Sequence, residues 1–348
     1  MESGYHFFSD KEYAGPHHSS LITFWDREPR TLRKTPRQIK PEYVFPESRL
    51  RAIVEIAKLT DSKMISRFWN KYYNGKDWNF NCTYGDVERW MKSGFIIFVK
   101  HDEEIVGTFV CRFLKGVFCG KHNPQAAILD GLVVHPNFRK IGLASFLLAS
   151  MDYTVYNNPE YKEALLIWFR ESVWKISLYN QMPISVLKYS YINIDDIPVY
   201  NKIVNVTNYE NIENIVKKIS HNTQNLFSLI CYDFDHDVLW FQVDDSIIGF
   251  ANTHRTAQSG YAIWEVVFAA NKEPPYFENL QKPIELAAKK LPCSKGLLFV
   301  TNGLSRGNLS ELNEPWVSGN SGYLSTHVYN WMPPRFLNGD ILFPFSCI

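Results

Sequence analysis

Residues 126–151 read AAILDGLVVHPNFRKIGLASFLLASM, an apolar strand running into a short basic loop and then into an amphipathic helix. Ile128, Leu129, Leu132, Val133 and Val134 are too continuous for a strand with one wet face, which predicts a strand covered on both sides in the middle of a sheet. Pro136 ends it. Leu143, Phe146, Leu147 and Met151 recur at i, i+3, i+4 and i+8 and share one helical face. A helix that starts here aims unpaired N–H groups, with the positive end of its dipole, back into the loop. Arg139 and Lys140 add charge, while Gly142 and Ala144 are small enough to let a diphosphate reach the backbone amides. The loop is expected to bind an anion.

Working outward, helical patterns are predicted upstream at Ser48 to Leu59 and Ser62 to Tyr73. A turn follows at Asn74-Gly75, and a third short helix in FNCTYGDVERWM ends near Gly94. Phe95 to Lys100 and Ile105 to Phe113 read as a hairpin around the polar turn 101–104, and Ala164 to Arg170 as a strand after the central helix. From about Ile194 the pattern starts again. A helix at Asn208 to Ser220 leads to a hairpin of Val238 to Val243 and Ile247 to His254. Then come a strand at Ala262 to Ala269, a helix at Pro275 to Lys290, and strands at Gly296 to Thr301 and His327 to Trp331. Val106-Gly107 and Ile248-Gly249 fall at matching places in the two hairpins. Pro274 and Pro275 stand where the first half has its glycine-containing loop, so only the first half is expected to hold a phosphorylated ligand.

A chain of 348 residues accommodates two domains of ordinary size. Its 37 Lys plus Arg balance 36 Asp plus Glu and are scattered, which argues against nucleic acid or an anionic membrane as partner. The six cysteines form no Cys-x-x-Cys pair and no Cys/His group at metal-ligand spacing, so reduced, buried thiols and no metal are expected. The start lacks the regions of a signal peptide, and no apolar run approaches the roughly 18 residues of a membrane span. A cytoplasmic protein is expected. Residues 1–20 have no period that buries a face. Phe24 and Trp25, by contrast, are adjacent large rings among charges, and they suit an arm pinned on the core or a lid over a ligand.

The loop Arg139-Lys140-Ile141-Gly142-Leu143-Ala144 resembles the Arg/Gln-x-x-Gly-x-Gly/Ala pyrophosphate loop of the GNAT acyltransferases, and the order of predicted elements is theirs. From Leu21 onward the chain resembles the N-myristoyltransferase (glycylpeptide N-tetradecanoyltransferase) family, two fused GNAT units. Thr23-Phe24-Trp25-Asp26 with Pro29 is similar to its Phe-Trp-Asp arm, and Leu129 to Ala144 to its Asn-Phe-Leu-Cys-Val-His segment and phosphate loop. Trp174 with Ser177-Leu178 is similar to its Trp-His-Arg-Ser-Leu, and Tyr329-Asn330-Trp331 to its Tyr-Asn-Trp. The resemblance implies an α/β mixed sheet of two GNAT-like halves: an acyl-CoA-binding half at 21–194, and a half at 195–348 that forms the peptide site and ends in a buried tail. It implies transfer of a C14 group from myristoyl-CoA, a co-substrate with no permanent cofactor beside it, to the N-terminal glycine of a peptide, by a monomer.

For the residues, the resemblance implies acyl-CoA contacts from Thr23, Phe24, Trp25, Gly131, Leu132, Val133, Val134, Arg139, Lys140, Gly142, Leu143 and Ala144. The backbone N–H groups of Gly131 and Leu132, at a break in strand pairing, would form an oxyanion hole, and one such donor is worth about 3 kcal/mol. The α-carboxylate of Ile348, at the end of the apolar tail ILFPFSCI, would accept the amine's proton. Chain length would be set by burial, since roughly twelve methylenes beyond an acetyl group contribute up to ~10 kcal/mol before binding costs.

Several residues depart from the family pattern. Asn74-Gly75-Lys76-Asp77 and Ser321 stand where the family has acids, so a weaker preference for lysine-bearing peptides is expected. Asp130 replaces the Asn before the oxyanion pair, where it can still accept from an ammonium, and Ile167 replaces a Thr that helps place the amine. The loop between Trp168 and Trp174 is shortened, and Gly142 replaces a basic residue. Two other readings stay open on these residues: a GNAT enzyme using acetyl-CoA, and a non-catalytic relative that binds acyl-CoA or glycyl peptides. His17, His18, His135 and the Asp235-His236-Asp237 group are assigned no chemistry.

Overall fold

The computed structural model describes residues 30–31, 42–45, 50–114, 117–119, 125–159, 161–162, 164–171, 181–200, 205–207, 212, 214–215, 218–219, 226–228, 238–293, 295–301, 312–329, 331–332 and 341–342. Thr23, Phe24, Trp25, Trp174, Ser177-Leu178, Asp235 to Asp237 and Ile348 lie outside these.

The first unit consists of β1 (Glu42–Phe45), β2 (Leu50–Ile56), α1 (Ser62–Tyr72), β3 (Trp78–Phe80), α2 (Tyr84–Lys92), β4 (Gly94–His101), β5 (Glu104–Leu114), β6 (Ala126–Val134), α3 (Leu143–Asn157) and β7 (Leu165–Glu171). After β8 (Gln181–Asn193) the second unit has β9 (Val238–Val243), β10 (Ser246–Ala257), β11 (Ala262–Asn271), α4 (Gln281–Ala288), β12 (Gly296–Thr301) and β13 (Val317–Tyr329). One mixed sheet joins them in the order β9-β10-β11-β12-β8-β13-β7-β6-β5-β4-β2-β1, with β3 paired to β10. In each unit a hairpin is followed by an antiparallel strand, a helix, and a strand parallel to the third. The repeat extends to detail, because Gly107 pairs with Val99 and Gly249 with Trp240 in the two hairpins. The architecture is α/β with two like units sharing a mixed sheet.

Both faces of the sheet in the first unit are covered. Leu143, Leu147, Met151 and Val155 of α3 pack on Ile97, Val99, Phe109 and Cys111. Burying four such side chains is worth roughly 6–12 kcal/mol before chain entropy is charged. On the opposite face, Ile65, Phe68 and Trp69 of α1 and Val87 and Trp90 of α2 cover Ile96, Phe98 and Val110. Thr83 caps α2 by accepting from the Asp86 N–H, and the Asp86 carboxylate accepts in turn from the Thr83 N–H. Among the described residues no helix is long and apolar enough to cross a membrane, and no group of His, Cys, Asp and Glu could hold a metal ion.

The structure corrects several element assignments. Residues 50–56 form a strand and not part of a helix. Ile53, Val54 and Ile56 are β-branched and favour a pleated surface, and pairing with β1 and β4 offers them one. The helix expected from Pro275 starts at Gln281, because Asn279 at φ 56° cannot continue a right-handed helix toward it. The last strand runs over Val317–Tyr329, with a separate pair at Trp331–Met332 against Arg30–Thr31. Gln181–Asn193, to which no element was assigned from the sequence, form β8, with Pro183 beside a bulge between Pro183 and Ser185.

Candidate functional site

The central strand β6 is interrupted where it leaves the core. Along β5 the register passes from Thr108↔Val133 to Val110↔Asp130, so Gly131 and Leu132 together face Phe109 as a bulge. Gly131 has φ 60°, a conformation that suits a residue without a side chain. On its other side, β6 pairs with β7 only from Ala126↔Leu165 to Leu129↔Trp168. Among the described residues, Asp130 to Val134 therefore have no strand partner on that side. The sheet opens there as a wedge.

Two buried side chains fix the orientation of the bulge. Thr108 Oγ1 donates to the Gly131 carbonyl at 3.0 Å and accepts from Trp69 Nε1 at 2.8 Å. Thr108 and Trp69 are both fully buried. The Gly131–Leu132 peptide is planar and trans, so holding its carbonyl toward Thr108 turns the Leu132 N–H the opposite way. The neighbouring Gly131 N–H is donated to Asp130 Oδ1 at 2.7 Å.

Asp130 is the inner end of a polar chain that crosses between the units. Its Oδ1 accepts from the Tyr73 hydroxyl at 3.3 Å, and Arg255 Nη2 lies 3.5 Å from the same hydroxyl. Tyr73 caps the end of α1. Arg255 comes from β10, just past a register shift between Asn252 and Arg255, and its guanidinium stacks on Trp78, 4.5 Å from the ring centroid. Burial, and then the Asp130 carboxylate, push the Tyr73 phenol well above its ordinary value. Burial works against the charge of Arg255, but Tyr73 and Asp130 outweigh it and hold the guanidinium above its ordinary value. Tyr73 is therefore a neutral donor and Arg255 a fixed cation.

Downstream of the bulge, His135 Nδ1 accepts from the Asn137 N–H at 3.2 Å and starts a short turn over Pro136–Phe138. Burial, and then Lys71, lower its pKa, which leaves the ring a neutral acceptor at pH 7. Arg139 and Lys140 are exposed, and Arg139 Nε donates to the Val134 carbonyl at 3.0 Å. Gly142, at φ 98°, turns the chain into α3, and no side chain caps the helix there. Its first-turn amides are thus left for a ligand or water. Leu143 is buried beneath them and Ala144 is half-buried. Val133 and Val134 point to opposite faces of the sheet, into the clusters beneath α1 and α3 respectively. They can offer a ligand mainly backbone.

In the second unit the equivalent strand also bulges, since Gly249 pairs with Phe268 and Phe250 with Val266. The loop after it folds back instead of opening. Asn271 donates its backbone N–H to the Tyr276 carbonyl at 2.7 Å and its side-chain amide to the Pro275 and Glu278 carbonyls, and Tyr276 and Phe277 enter the core. Asn74-Gly75-Lys76-Asp77 is stitched to the second unit, with Gln258 donating to the Lys76 and Asp77 carbonyls. Ile167 is fully buried in β7 between Ile128 and Val328, and acts as core. The sequence reading did not single out Thr108, Tyr73 or Arg255. A lone hydroxyl in the apolar run IVGTFV was the available signal for the first; nothing local marked the other two.

The wedge beside a bulged strand, followed by a basic loop and an uncapped helix, is the layout of the GNAT acyltransferase fold. The acetyltransferase (GNAT) family model matches residues 63–154, which span α1 to α3. Over nearly its whole length the chain has the fold of the N-myristoyltransferases, two GNAT-like units in one chain. A crystal structure of Saccharomyces cerevisiae N-myristoyltransferase with bound myristoyl-CoA superposes with a TM-score of 0.62 at 12% identity, covering 90% of this chain and 88% of that one. Another, also with myristoyl-CoA, gives 0.61 at 12% identity over 92% and 94% of the two chains. A third, with myristoyl-CoA and inhibitors, gives 0.60 at 12% identity over 91% and 89%. No curated protein matches the sequence.

Proposed function

We propose that the protein transfers a long acyl group, tetradecanoyl, from its CoA thioester to the N-terminal glycine amine of a peptide. The observation that carries this reading is the wedge at Asp130 to Val134 with the bulge at its mouth. An amide-bearing arm such as pantetheine can lie along an unpaired strand edge as an added strand. Its diphosphate then reaches the first turn of α3 beside Arg139, Lys140, Gly142 and Ala144. The thioester oxygen meets the Leu132 N–H that Thr108 aims, and Gly131 supplies the second donor. The amine attacks the carbonyl carbon, the C–N bond forms, and the C–S bond breaks with release of the thiol.

In this reading 21–194 is the acyl-CoA half and 195–348 the peptide half. The Thr23-Phe24-Trp25 arm covers the acyl-CoA, and the Ile348 carboxylate takes the amine's proton. Asp130 and Tyr73 face the arriving ammonium. The free thiols of Cys82, Cys111 and Cys293 suit the reducing cytosol in which we place the reaction. The N-myristoyltransferases of the same fold, crystallised with myristoyl-CoA, support the choice of acyl donor.

The test is transfer of labelled tetradecanoyl from its CoA thioester to a peptide beginning Gly-x-x-x-Ser, with an Ala-first peptide and acetyl-CoA as controls. Transfer from the long chain to glycine alone is the expected result; equal use of acetyl-CoA overturns the chain-length assignment. Appending two residues after Ile348 is expected to abolish transfer if its carboxylate is the base. A second reading, a binder without turnover, is favoured by one contact: the Gly131 N–H is already bonded to Asp130 Oδ1. It predicts tight acyl-CoA binding with no labelled peptide.

A further inference from the structure

The same contact can serve catalysis instead of preventing it. An oxyanion and a carboxylate cannot share one N–H, and Asp130 Oδ1 lies 2.7 Å from the Gly131 nitrogen. Whatever acyl transfer needs from Gly131 is therefore withheld while Asp130 keeps this position. A carboxylate accepting from an amide makes a charge-assisted bond, stronger than the one a neutral thioester carbonyl offers in its place. The substrate carbonyl does not displace it unaided.

The surroundings show what can. Asp130 is half-buried, and among the described residues its second oxygen, Oδ2, has no hydrogen-bond partner. The Tyr73 hydroxyl donates to the same oxygen, Oδ1, at 3.3 Å, as a second donor beside the Gly131 N–H, and Arg255 stands behind that hydroxyl. The carboxylate can thus turn off the Gly131 N–H toward Tyr73 without losing every donor. An ammonium arriving at the mouth of the wedge supplies the missing attraction.

We propose that Asp130 gates the oxyanion hole. In the absence of an acceptor its carboxylate covers the Gly131 N–H; the acceptor's ammonium draws the carboxylate onto itself and releases that donor to the thioester oxygen. The inference rests on the acyl-transfer reading above. Its consequence is protection of the thioester. Water, which carries no positive charge, cannot open the hole, so hydrolysis of the acyl donor to the free acid and CoA thiol is suppressed until an amine is in place.

Release of CoA thiol from tetradecanoyl-CoA, measured without any acceptor, tests this in the wild type and in Asp130→Asn and Asp130→Ala. The Asn side chain keeps a covering oxygen without its charge, and Ala removes the cover. Hydrolysis is expected to rise in the order Asp, Asn, Ala, by roughly 10-fold or more at Ala, within the 10²–10³ that one oxyanion donor controls. Transfer to a glycine peptide is expected to fall in the same Ala variant. A hydrolysis rate that does not rise in either variant overturns the gate.

Infrared spectroscopy of bound, carbonyl-labelled tetradecanoyl-CoA gives a second readout that needs no turnover. The carbonyl band is expected to shift to lower frequency in Asp130→Ala, and in the wild type only after a glycine peptide is added. Equal bands in the wild type, with and without peptide, and in the variant overturn the gate even if transfer is seen. If the wild type binds acyl-CoA, shows these shifts and yet transfers nothing, the gate stands and the transferase reading fails. If acyl-CoA does not bind at all, both fall.

Discussion

Replacing Thr108 with Val separates the aim of the bulge from its shape. Valine has nearly the volume of threonine, so the packing of β5 under α1 is kept and only the hydroxyl is lost. That hydroxyl links two groups, accepting from the buried Trp69 Nε1–H at 2.8 Å and donating to the Gly131 carbonyl at 3.0 Å. Stranding a buried polar group costs about 1–3 kcal/mol, so losing both bonds is expected to lower stability by about 2–6 kcal/mol. Guanidinium unfolding reads this as a lower midpoint with an unchanged slope. The Leu132 N–H also loses the constraint on its direction. Removing an oxyanion donor outright costs 10²–10³ in kcat, so misdirecting one is expected to cost roughly 10–100-fold, with little change in acyl-CoA binding. Thr108→Ser keeps both bonds and is expected to recover most of the rate. If Thr108→Val transfers acyl groups within about 2-fold of the wild type while Trp69 is demonstrably destabilised, the Leu132 N–H is not an oxyanion donor.

Other perturbations probe the rest of the site. A Cβ at Gly107 would meet the terminal Cδ1 of Leu147 at 2.8 Å, so Gly107→Ala is expected to make that side chain shift within the cluster beneath α3 and cost about 1 kcal/mol, read as a lower unfolding midpoint. Arg139→Ala combined with Lys140→Ala is expected to weaken binding of CoA more at low salt than at high salt, since both cations are exposed. Arg255→Leu is expected to raise KM for the peptide while leaving acyl-CoA affinity unchanged, because Arg255 stands behind Tyr73 and away from the basic loop. Burial would raise the pKa of Asp86, but the Thr83 N–H, His254 and Arg89 outweigh it and hold the carboxyl below the usual range. The stability it supplies is present above about pH 4 and lost as pH falls through the depressed value. Asp86→Asn is accordingly expected to flatten the acid limb of a stability-against-pH curve.

The centre of the fold was legible because residues 126–157 switch from a continuous apolar run to a 3.6-residue period across one small, basic loop. Nothing else in the chain combines those signals. The hairpins were legible from turns such as Asp102-Glu103, both at positive φ in the structure. Residues 50–56 were misread because Ala52, Ile53, Val54 and Ile56 fit either period. Tertiary pairing decided between them: Ala52 is fully buried and Ile53 exposed, the alternation of a strand. The loop after β11 was misread for a different reason, since proline often opens a helix and here stands in turns that precede one. At the site, Gly131, Leu132, Asp130 and the basic loop were visible as neighbours in sequence. Tyr73 and Arg255 were not, because 182 residues separate them and their meeting depends on β3 pairing with β10. A local pattern carries no record of such a contact.

The position of β13 bears on how the chain comes off the ribosome. This strand fills the place between β8 and β7, so the first unit keeps an open edge at β7 until residues about 150 positions later have been made. At ordinary rates of synthesis that is a wait of roughly 10–30 s. During it Leu166 and Ile167 have no neighbour on one side, and an unpaired apolar strand is a template for aggregation. A nascent chain stalled or cut before residue 317 would be a client for chaperones, not a half-enzyme, and its two like units cannot be parted into independently folding pieces at the boundary between them.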